Sequence, residues 1–304
     1  MKRRHDLGHF AALVTILIWA TTFVSTKVLL VEFQPIAILF YRFAMGFIVL
    51  LLVYPRKLSV KNKKQELYFA GAGLSGICVY YLLENIALTY TQASNVGVII
   101  SVAPFFTAIL SAIFLKKEEK LKVRFFAGFA MAMLGILLIS LKGTAVHMNP
   151  IGDLLSLLAA LAWGCYSVLT KKISEFGYHS IQTTRRVFAY GLLFMTPALI
   201  GCNFKFEIAK FSDKVYLFNI LFLGVGASAL CFVTWNYAVK VLGAVKTSIY
   251  IYLVPVITVL ASVLILNEQI TFRTLLGIAL TVAGLFVSGK KQKREGKRVS
   301  HCEK

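Results

Sequence analysis

The stretch WATTFVSTKVL at residues 19–29 returns in similar form as WGCYSVLTKKI at residues 163–173. In both stretches a tryptophan is followed by small and hydroxyl residues and then by a lysine, and the two tryptophans stand 144 residues apart. A long period of this kind indicates one structural unit written twice, and a repeat of that length decides the whole fold.

Further matches follow in the same order along the chain. They are Arg42 with Arg186, again 144 apart, then Asn85 with Asn236 and Pro104 with Pro255, both 151 apart, then Glu119, Gly128 and Gly135 with Glu268, Gly277 and Gly284, 149 apart. The shifts in spacing fall between apolar stretches, where insertions are tolerated. The repeat therefore predicts two units, at residues 1–145 and 146–290, followed by a basic tail at 291–304.

The composition is that of a membrane protein, with 58% hydrophobic and 15% charged residues. Apolar stretches of about 20 residues, the length that spans a bilayer, can be separated along the chain. They lie at about 10–30, 35–54, 67–89, 93–115, 123–141, 151–170, 181–201, 215–239, 245–266 and 271–289. We predict an all-α polytopic protein of ten transmembrane helices. Because five is odd, the two five-helix repeats are inverted, and inverted repeats are typical of secondary transporters.

The basic residues predict the orientation of the chain. The net charge is +20, and with the N-terminus on the cytoplasmic side 26 of the 33 lysines and arginines fall in cytoplasmic segments. This distribution places both termini in the cytoplasm. The excess charge thus follows the sides of a lipid bilayer, and we expect no nucleic-acid partner.

No enzyme or metal signature is present in the sequence. The five histidines lie at helix ends or in links, and the five cysteines form no CxxC pair. HExxH, GxSxG and phosphate-loop patterns are absent from the sequence as well. We expect no catalytic residue, metal or cofactor. A channel or receptor, and less favourably a membrane-embedded enzyme, remain the alternatives to a carrier.

Several of these motifs resemble the EamA-type branch of the drug/metabolite transporter superfamily. The similar features are the tryptophan-to-lysine words, the arginines of the second and seventh spans, ALTYTQAS at 87–94, the two prolines, and LNEQITFRTLLGIALTVAGLFV at 266–287. The resemblance covers both halves. It implies a ten-helix carrier in the bacterial plasma (inner) membrane, with a central cavity and with spans 5 and 10 at the periphery.

The expected cavity is lined by matched polar and aromatic positions of the two halves. We predict that a small-molecule substrate meets Trp19, Thr22, Arg42, Tyr81, Glu84, Asn85, Ser94 and Ser101 from the first half and Trp163, Tyr166, Trp235, Asn236, Ser248 and Tyr252 from the second. The alternative for the tryptophans is ordinary packing in the protein interior. Aromatic side chains favour a partly apolar solute, such as an amino acid or its derivative.

The prolines near the middle of two spans predict bends. Pro104 and Pro255 each remove a backbone hydrogen bond, so they either make static kinks or shape and gate the cavity. Gly73 and Gly224 stand at matched positions in small-residue stretches, which predicts close helix packing.

Glu84 is the acidic residue that we place well inside the bilayer, and Arg42 is its natural partner by depth. A carboxylate at the centre of a span costs about 2.5–3.5 kcal/mol on insertion scales, so such a residue is a functional candidate by default. The alternatives are a structural ion pair and a site of substrate contact or proton exchange. The repeat mate of Glu84 is Trp235, so the two halves differ at this position.

Overall fold

The computed structural model describes residues 2–91, 93–115, 123–140, 149–257 and 272–289. The chain is an all-α polytopic membrane protein, and the described residues contain helices and connecting segments but no strand. The helices are α1 (Lys2–Leu29), α2 (Pro35–Val53), α3 (Lys64–Tyr90), α4 (Asn95–Phe114), α5 (Val123–Ser140), α6 (Pro150–Glu175), α7 (Ser180–Gly201), α8 (Lys214–Leu242), α9 (Ala244–Ile257) and α10 (Phe272–Gly289). Glu119, Glu268, the end of the predicted ninth span and the tail at 291–304 lie outside the described residues.

Six helices of the described chain are long and apolar enough to cross a bilayer. They are α1, α2, α3, α4, α6 and α8, and the apolar parts of α5, α9 and α10 are shorter. Helix α7 has 22 residues, but Arg185 and Arg186 stand in its first two turns. Because its first two turns are polar, α7 is long enough to cross a bilayer but is not among the six helices that are also apolar enough.

Local sequence signals set several helix starts. Pro35 opens α2, where its fixed φ suits the first helical position and its missing N–H is not needed. Asn149 caps α6 by accepting the N–H groups of Ile151 and Gly152, and Asp213 caps α8 in the same way. Gly243, with φ of 93°, allows the turn between α8 and α9.

Helices α3 and α8 each contain a π-helical segment, at Gly73–Val79 and Phe222–Leu230. The first segment packs on α7 and the second on α2. A Cβ at Gly73 would lie 2.7 Å from the backbone nitrogen of Gly191, and one at Gly224 would lie 3.0 Å from Cβ of Met45. Both glycines therefore allow close helix packing, as their sequence context predicts.

Helices α5 and α10 pack against each other with their backbones nearly touching. A Cβ on Gly128 would lie 2.7 Å from the Gly284 carbonyl oxygen, and one on Gly135 would lie 2.6 Å from the Gly277 carbonyl oxygen. Their mutual packing is the most extensive between any two helices of the described chain. Gly128, Gly135 and Gly284 therefore allow the two backbones to approach this closely.

The helices that carry Pro104 and Pro255, α4 and α9, change their hydrogen bonding just before the proline. Regular α-helix stops at Ile100 and resumes at Ala103, immediately ahead of Pro104. In α9 the 3₁₀ segment Ile249–Tyr252 precedes Pro255. Since proline removes one backbone donor and crowds the preceding turn, these are the distortions that its chemistry imposes.

The two ends of the bundle are joined by different sets of bonds between the N-terminal and C-terminal halves. At the Arg185 end, formed by residues 54–66 and 176–186, Arg185 donates to the carbonyl oxygens of Tyr54 (2.5 Å) and Arg56 (2.6 Å), and Arg186 forms an ion pair with Glu66. At the Lys210 end, formed by residues 29–41 and 202–213, Lys210 donates to the Glu32 carbonyl oxygen at 2.7 Å.

Candidate functional site

A cavity lies between the two halves of the bundle, in the half nearer the Lys210 end. Five helices contribute to its wall, α9 in part through its 3₁₀ turn before Pro255. The lining residues are Ile16, Trp19, Thr22 and Phe23 of α1, Tyr80, Tyr81 and Glu84 of α3, Gly97 and Ile100 of α4, Trp163 of α6, and Ile251 and Val254 of α9. The room for the centres of water-sized molecules inside it is about 30 Å³, and all the empty space between the atoms, including open solvent at the mouth, is about 470 Å³.

The three tryptophans of the chain meet at this cavity. The ring of Trp19 lies 5.1 Å from the rings of both Trp163 and Trp235, and Trp163 and Trp235 are 5.9 Å apart. Trp19 donates its indole N–H to the Ala227 carbonyl oxygen at 2.9 Å, which fixes the orientation of its ring. Trp19 and Trp163 therefore give the cavity an aromatic wall from α1 and α6, and Trp235 of α8 packs behind Trp19 and Trp163.

Glu84 lines the cavity and is 2% exposed. The polar groups that influence it are Arg42 of α2 and Tyr80 of α3. Among the ion pairs of the described residues, none joins Glu84 to Arg42 within 4.0 Å. The predicted pair is therefore not a direct salt bridge in this conformation.

Arg42 is held elsewhere and does not line the cavity. Its guanidinium lies 4.3 Å above the ring of Tyr81, and its Nε donates to Ser228 Oγ at 3.1 Å. The other two nitrogens have no hydrogen-bond partner among the described residues. Arg42 thus links α2 to the π-helical segment of α8. Tyr81, whose ring the guanidinium covers, lines the cavity.

A hydrogen-bonded chain separates this cavity from a second, polar pocket at the Arg185 end. Tyr166 donates its hydroxyl to Asn236 Oδ1 at 2.8 Å, and Asn236 Nδ2 donates to Thr184 Oγ1 at 2.9 Å. Trp163, Tyr166 and Thr170 follow one another on α6, and Trp163 lines the cavity while Thr170 and Asn236 line the second pocket. The fully buried Tyr166 therefore closes the path between the two.

The structure places the predicted cavity residues at different distances from the cavity. Trp19, Thr22, Tyr81, Glu84 and Trp163 line the cavity, and Tyr166, Trp235 and Asn236 form the layer that closes it toward the Arg185 end. Asn85 is buried and donates to the Pro35 carbonyl oxygen at 3.1 Å, which ties α3 to the start of α2. The side chain of Ser94 lies outside what the structure describes.

The prediction for Ser101, Ser248 and Tyr252 differs from the structure. Ser101 and Ser248 are fully buried and donate to carbonyl oxygens of their own helices, Gly97 and Val245, both at 2.8 Å. Tyr252 packs beside Phe129 of α5. The physical reason is the break before each proline, which turns these positions away from the cavity and brings Ile100, Ile251 and Val254 to its wall.

Sequence reasoning missed Tyr80 and Phe23. Tyr80 stands four residues before Glu84, and Phe23 four residues after Trp19, so each lies one helical turn from a predicted cavity residue. That spacing was the available signal. The apolar residues of α4 and α9 carried no comparable signal, because they are indistinguishable from lipid-facing positions in a hydrophobic span.

The described residues contain no group of three or more histidine, cysteine, aspartate or glutamate side chains that could hold a metal ion. The helical bundle, with a cavity between its halves and a second pocket beyond a buried layer, is that of a polytopic membrane protein. The EamA-like transporter family matches residues 6–141 and 150–289. The chain belongs to this family.

Similar proteins share nearly the whole length of the chain. An uncharacterised transporter of Archaeoglobus fulgidus is 28% identical over 93% of this chain and 98% of its own length. A probable terminal-alkyne amino-acid exporter of Streptantibioticus cattleyicolor is 25% identical over 93% of each chain. One solved crystal structure covers 92% of this chain and 97% of its own, with a TM-score of 0.72 and 19% identity, and it shows the fold alone.

Proposed function

We propose that this transporter is a secondary carrier that moves a small, partly apolar metabolite by alternating access between two inverted five-helix repeats. The observation that carries the proposal is the layer formed by Tyr166, Trp235 and Asn236, which closes the cavity from the pocket at the Arg185 end. A carrier needs a site that communicates with one side at a time, whereas an open channel needs a continuous path.

Matched features of the two halves support the inverted repeat. The π-helical segments of α3 and α8 begin near Gly73 and Gly224, which are repeat mates, and each packs on a helix of the opposite half. Two interfaces of the same design can exchange roles when the halves rock against each other. Breaking the bonds at the Arg185 end and keeping those at the Lys210 end would then expose the cavity to the other side.

The orientation follows from charge, and the location rests on the family. The Arg185 end carries the basic loop at 54–64 and Lys171, Lys172, Arg185 and Arg186, so the positive-inside rule assigns it to the cytoplasm. Both termini then lie in the cytoplasm of a bacterial cell, with the protein in the plasma membrane.

Glu84 is our choice for the proton-coupling group. It lines the cavity and forms no salt bridge among the described residues. The polar groups that influence it are Arg42 and Tyr80. No titratable side chain of α1, α4, α6 or α9 lines the cavity with it. A carboxylate in this position can accept a proton while the cavity is open and give it up on the other side.

The test uses the purified carrier in liposomes. Solutes that raise its melting temperature in a screen of amino acids and amines identify a ligand of the folded state, and the best of them is used for flux. A carrier shows saturable uptake with counterflow, a channel shows flux without counterflow, and an enzyme shows no flux. Glu84→Gln should lose the pH dependence of net transport and retain exchange. An unchanged pH profile would remove Glu84 from the coupling role.

If Glu84→Gln fails to accumulate in the membrane, the double variant with Arg42→Gln decides between the alternatives. Rescue by the double variant means that the two charges stabilise each other, so the role of Glu84 is structural. If Glu84→Gln folds and still exchanges substrate across the membrane, the result supports coupling, because substrate then crosses without the group that takes up the proton.

A further inference from the structure

The wall of the cavity has an unusual chemical composition. Among the described lining residues Glu84 is the one that carries a charge, and five of the twelve are aromatic. Trp19, Trp163, Tyr80 and Tyr81, from three different helices, line the same cavity as the carboxylate. The remainder is aliphatic apart from Thr22 and Gly97, so a ligand meets one acid, several ring faces and an apolar floor.

Aromatic faces attract cations because of their ring quadrupole, and this attraction strengthens when water is excluded. A buried carboxylate adds a charge-assisted hydrogen bond to any ammonium that reaches it. The edges of neighbouring rings are already in contact, with centroids of Tyr80 and Tyr81 4.6 Å apart and of Tyr80 and Trp163 4.9 Å apart. The rings therefore hold one another in place at the cavity wall.

Arg42 is the opposing charge, and its placement keeps it out of direct contact with a ligand. It is completely buried, it is absent from the cavity wall, and its guanidinium covers the ring of Tyr81 at 4.3 Å. Coulomb interactions weaken with distance, so a cation at the wall is attracted by Glu84 at contact distance more strongly than it is repelled by Arg42 behind a tyrosine ring.

We propose that the cavity is a binding site for an organic ammonium, in which the Glu84 carboxylate and the faces of Trp19, Tyr80 and Trp163 hold the cationic group while the aliphatic residues of α4 and α9 hold an apolar body. This inference rests on the proposed carrier function and names the substrate class of the same cavity. One carboxylate cannot hold a proton and an ammonium at once, so the two compete for it.

The chain carries its own probe for this site. Its three tryptophans all lie at the cavity, so intrinsic tryptophan fluorescence of the full-length protein in detergent reports on occupancy. Three probes share one apolar body and differ in charge: 2-phenylethylammonium, 3-phenylpropionate and 2-phenylethanol. We expect saturable quenching by the ammonium at a concentration at least about tenfold lower than by the other two, the loss of one charge-assisted contact being worth about 1.5–3 kcal/mol.

The variant Glu84→Gln should bring the ammonium to the level of the alcohol. Glu175→Gln serves as the matched control, since Glu175 is a half-exposed surface acid in an i,i+3 pair with Lys172, and its titration curve should be that of the unmodified protein. If Glu84→Gln does not fold, the unmodified protein still tests the proposal, which requires 2-phenylethylammonium to bind more tightly than 3-phenylpropionate.

Equal binding of the three probes, or ammonium binding that Glu84→Gln leaves intact, would overturn the proposal in favour of apolar contact alone. Preferential binding of 3-phenylpropionate would overturn it differently. The buried N–H of Trp163, which lines the cavity and lacks a hydrogen-bond partner among the described residues, would then be the group that an anion meets. Binding of none of the probes would refute the ammonium site, while counterflow of another solute would leave the carrier function standing.

Discussion

The hydroxyl of Tyr166 is predicted to hold the cavity closed toward the Arg185 end. The substitution Tyr166→Phe removes that hydroxyl and little else. Asn236 Oδ1 then loses its donor, and the amide cannot turn to find another without giving up the bond from Nδ2 to Thr184 Oγ1. A buried polar atom left unpaired costs about 1–3 kcal/mol. Asn236 would be hydrated in an open state, so the cost falls on the closed state alone.

A free-energy difference of about 1–3 kcal/mol changes an equilibrium about 5- to 150-fold. If the state open at the Arg185 end is populated at about 1% in the unmodified protein, Tyr166→Phe should raise it to between about 5% and 60%. The measurement is the distance distribution between spin labels at Lys57→Cys and Glu175→Cys, both exposed at the Arg185 end and on opposite halves. Native cysteines are first replaced in this background. A second, longer distance should appear or grow.

Tyr252→Phe is the matched control. The Tyr252 hydroxyl is buried without a hydrogen-bond partner among the described residues, so its removal leaves nothing unpaired. The distance distribution should stay that of the parent protein, and the melting temperature should stay equal or rise. If Tyr166→Phe behaves like this control, the hydroxyl does not hold the layer closed, and the mechanism of closure must lie in the aromatic packing.

Three further predictions follow from the packing and topology. Gly73→Ala should lower the melting temperature, since its Cβ would lie 2.7 Å from a backbone atom of α7. Gly201→Ala is the control: no atom lies within 4 Å of its Cβ, so the variant should be neutral or stabilising, and equal effects of the two substitutions would refute the close-packing argument. Pro104→Ala should insert normally but transport more slowly, because restoring a backbone bond stiffens α4; unchanged turnover would make the bend a static kink. A cysteine at Asn203 should react with an impermeant reagent in intact cells and one at Lys61 only after permeabilisation; the reverse pattern would invert the orientation.

Fold class and helix positions were predictable because the signals behind them are additive along the chain. Apolar length, repeat spacing and glycine context each involve many residues, and the helices α1–α4, α6 and α8 fall on the predicted spans. The π-helical segments were not predictable, since the stretches at 73–79 and 222–230 look like ordinary small-residue packing surfaces.

The site was predictable only in part, because its geometry depends on helix rotation. Trp19, Trp163 and Glu84 line the cavity as their sequence context suggests, whereas Ser101 and Tyr252 were assigned to it by polarity at helical spacing. Helical spacing holds only within an unbroken helix, and both residues stand at the distortions before prolines. The predicted Arg42–Glu84 pair shows the same limit, since depth in the membrane was readable but the competing contacts of Arg42 with Tyr81 and Ser228 were not.

The π-helical segment Gly73–Val79 has a consequence for the residues that follow it. A turn of this kind takes more residues than an α-helical turn, and every residue of an α-helix advances the direction of a side chain by about 100°. The direction of the Glu84 side chain therefore depends on the helix type and on the number of residues that precede it in α3. If the same seven residues formed a regular α-helix instead, every later side chain of α3 would turn relative to the residues ahead of the segment, and the acid would point away from the cavity with every residue of the cavity wall still present in the sequence.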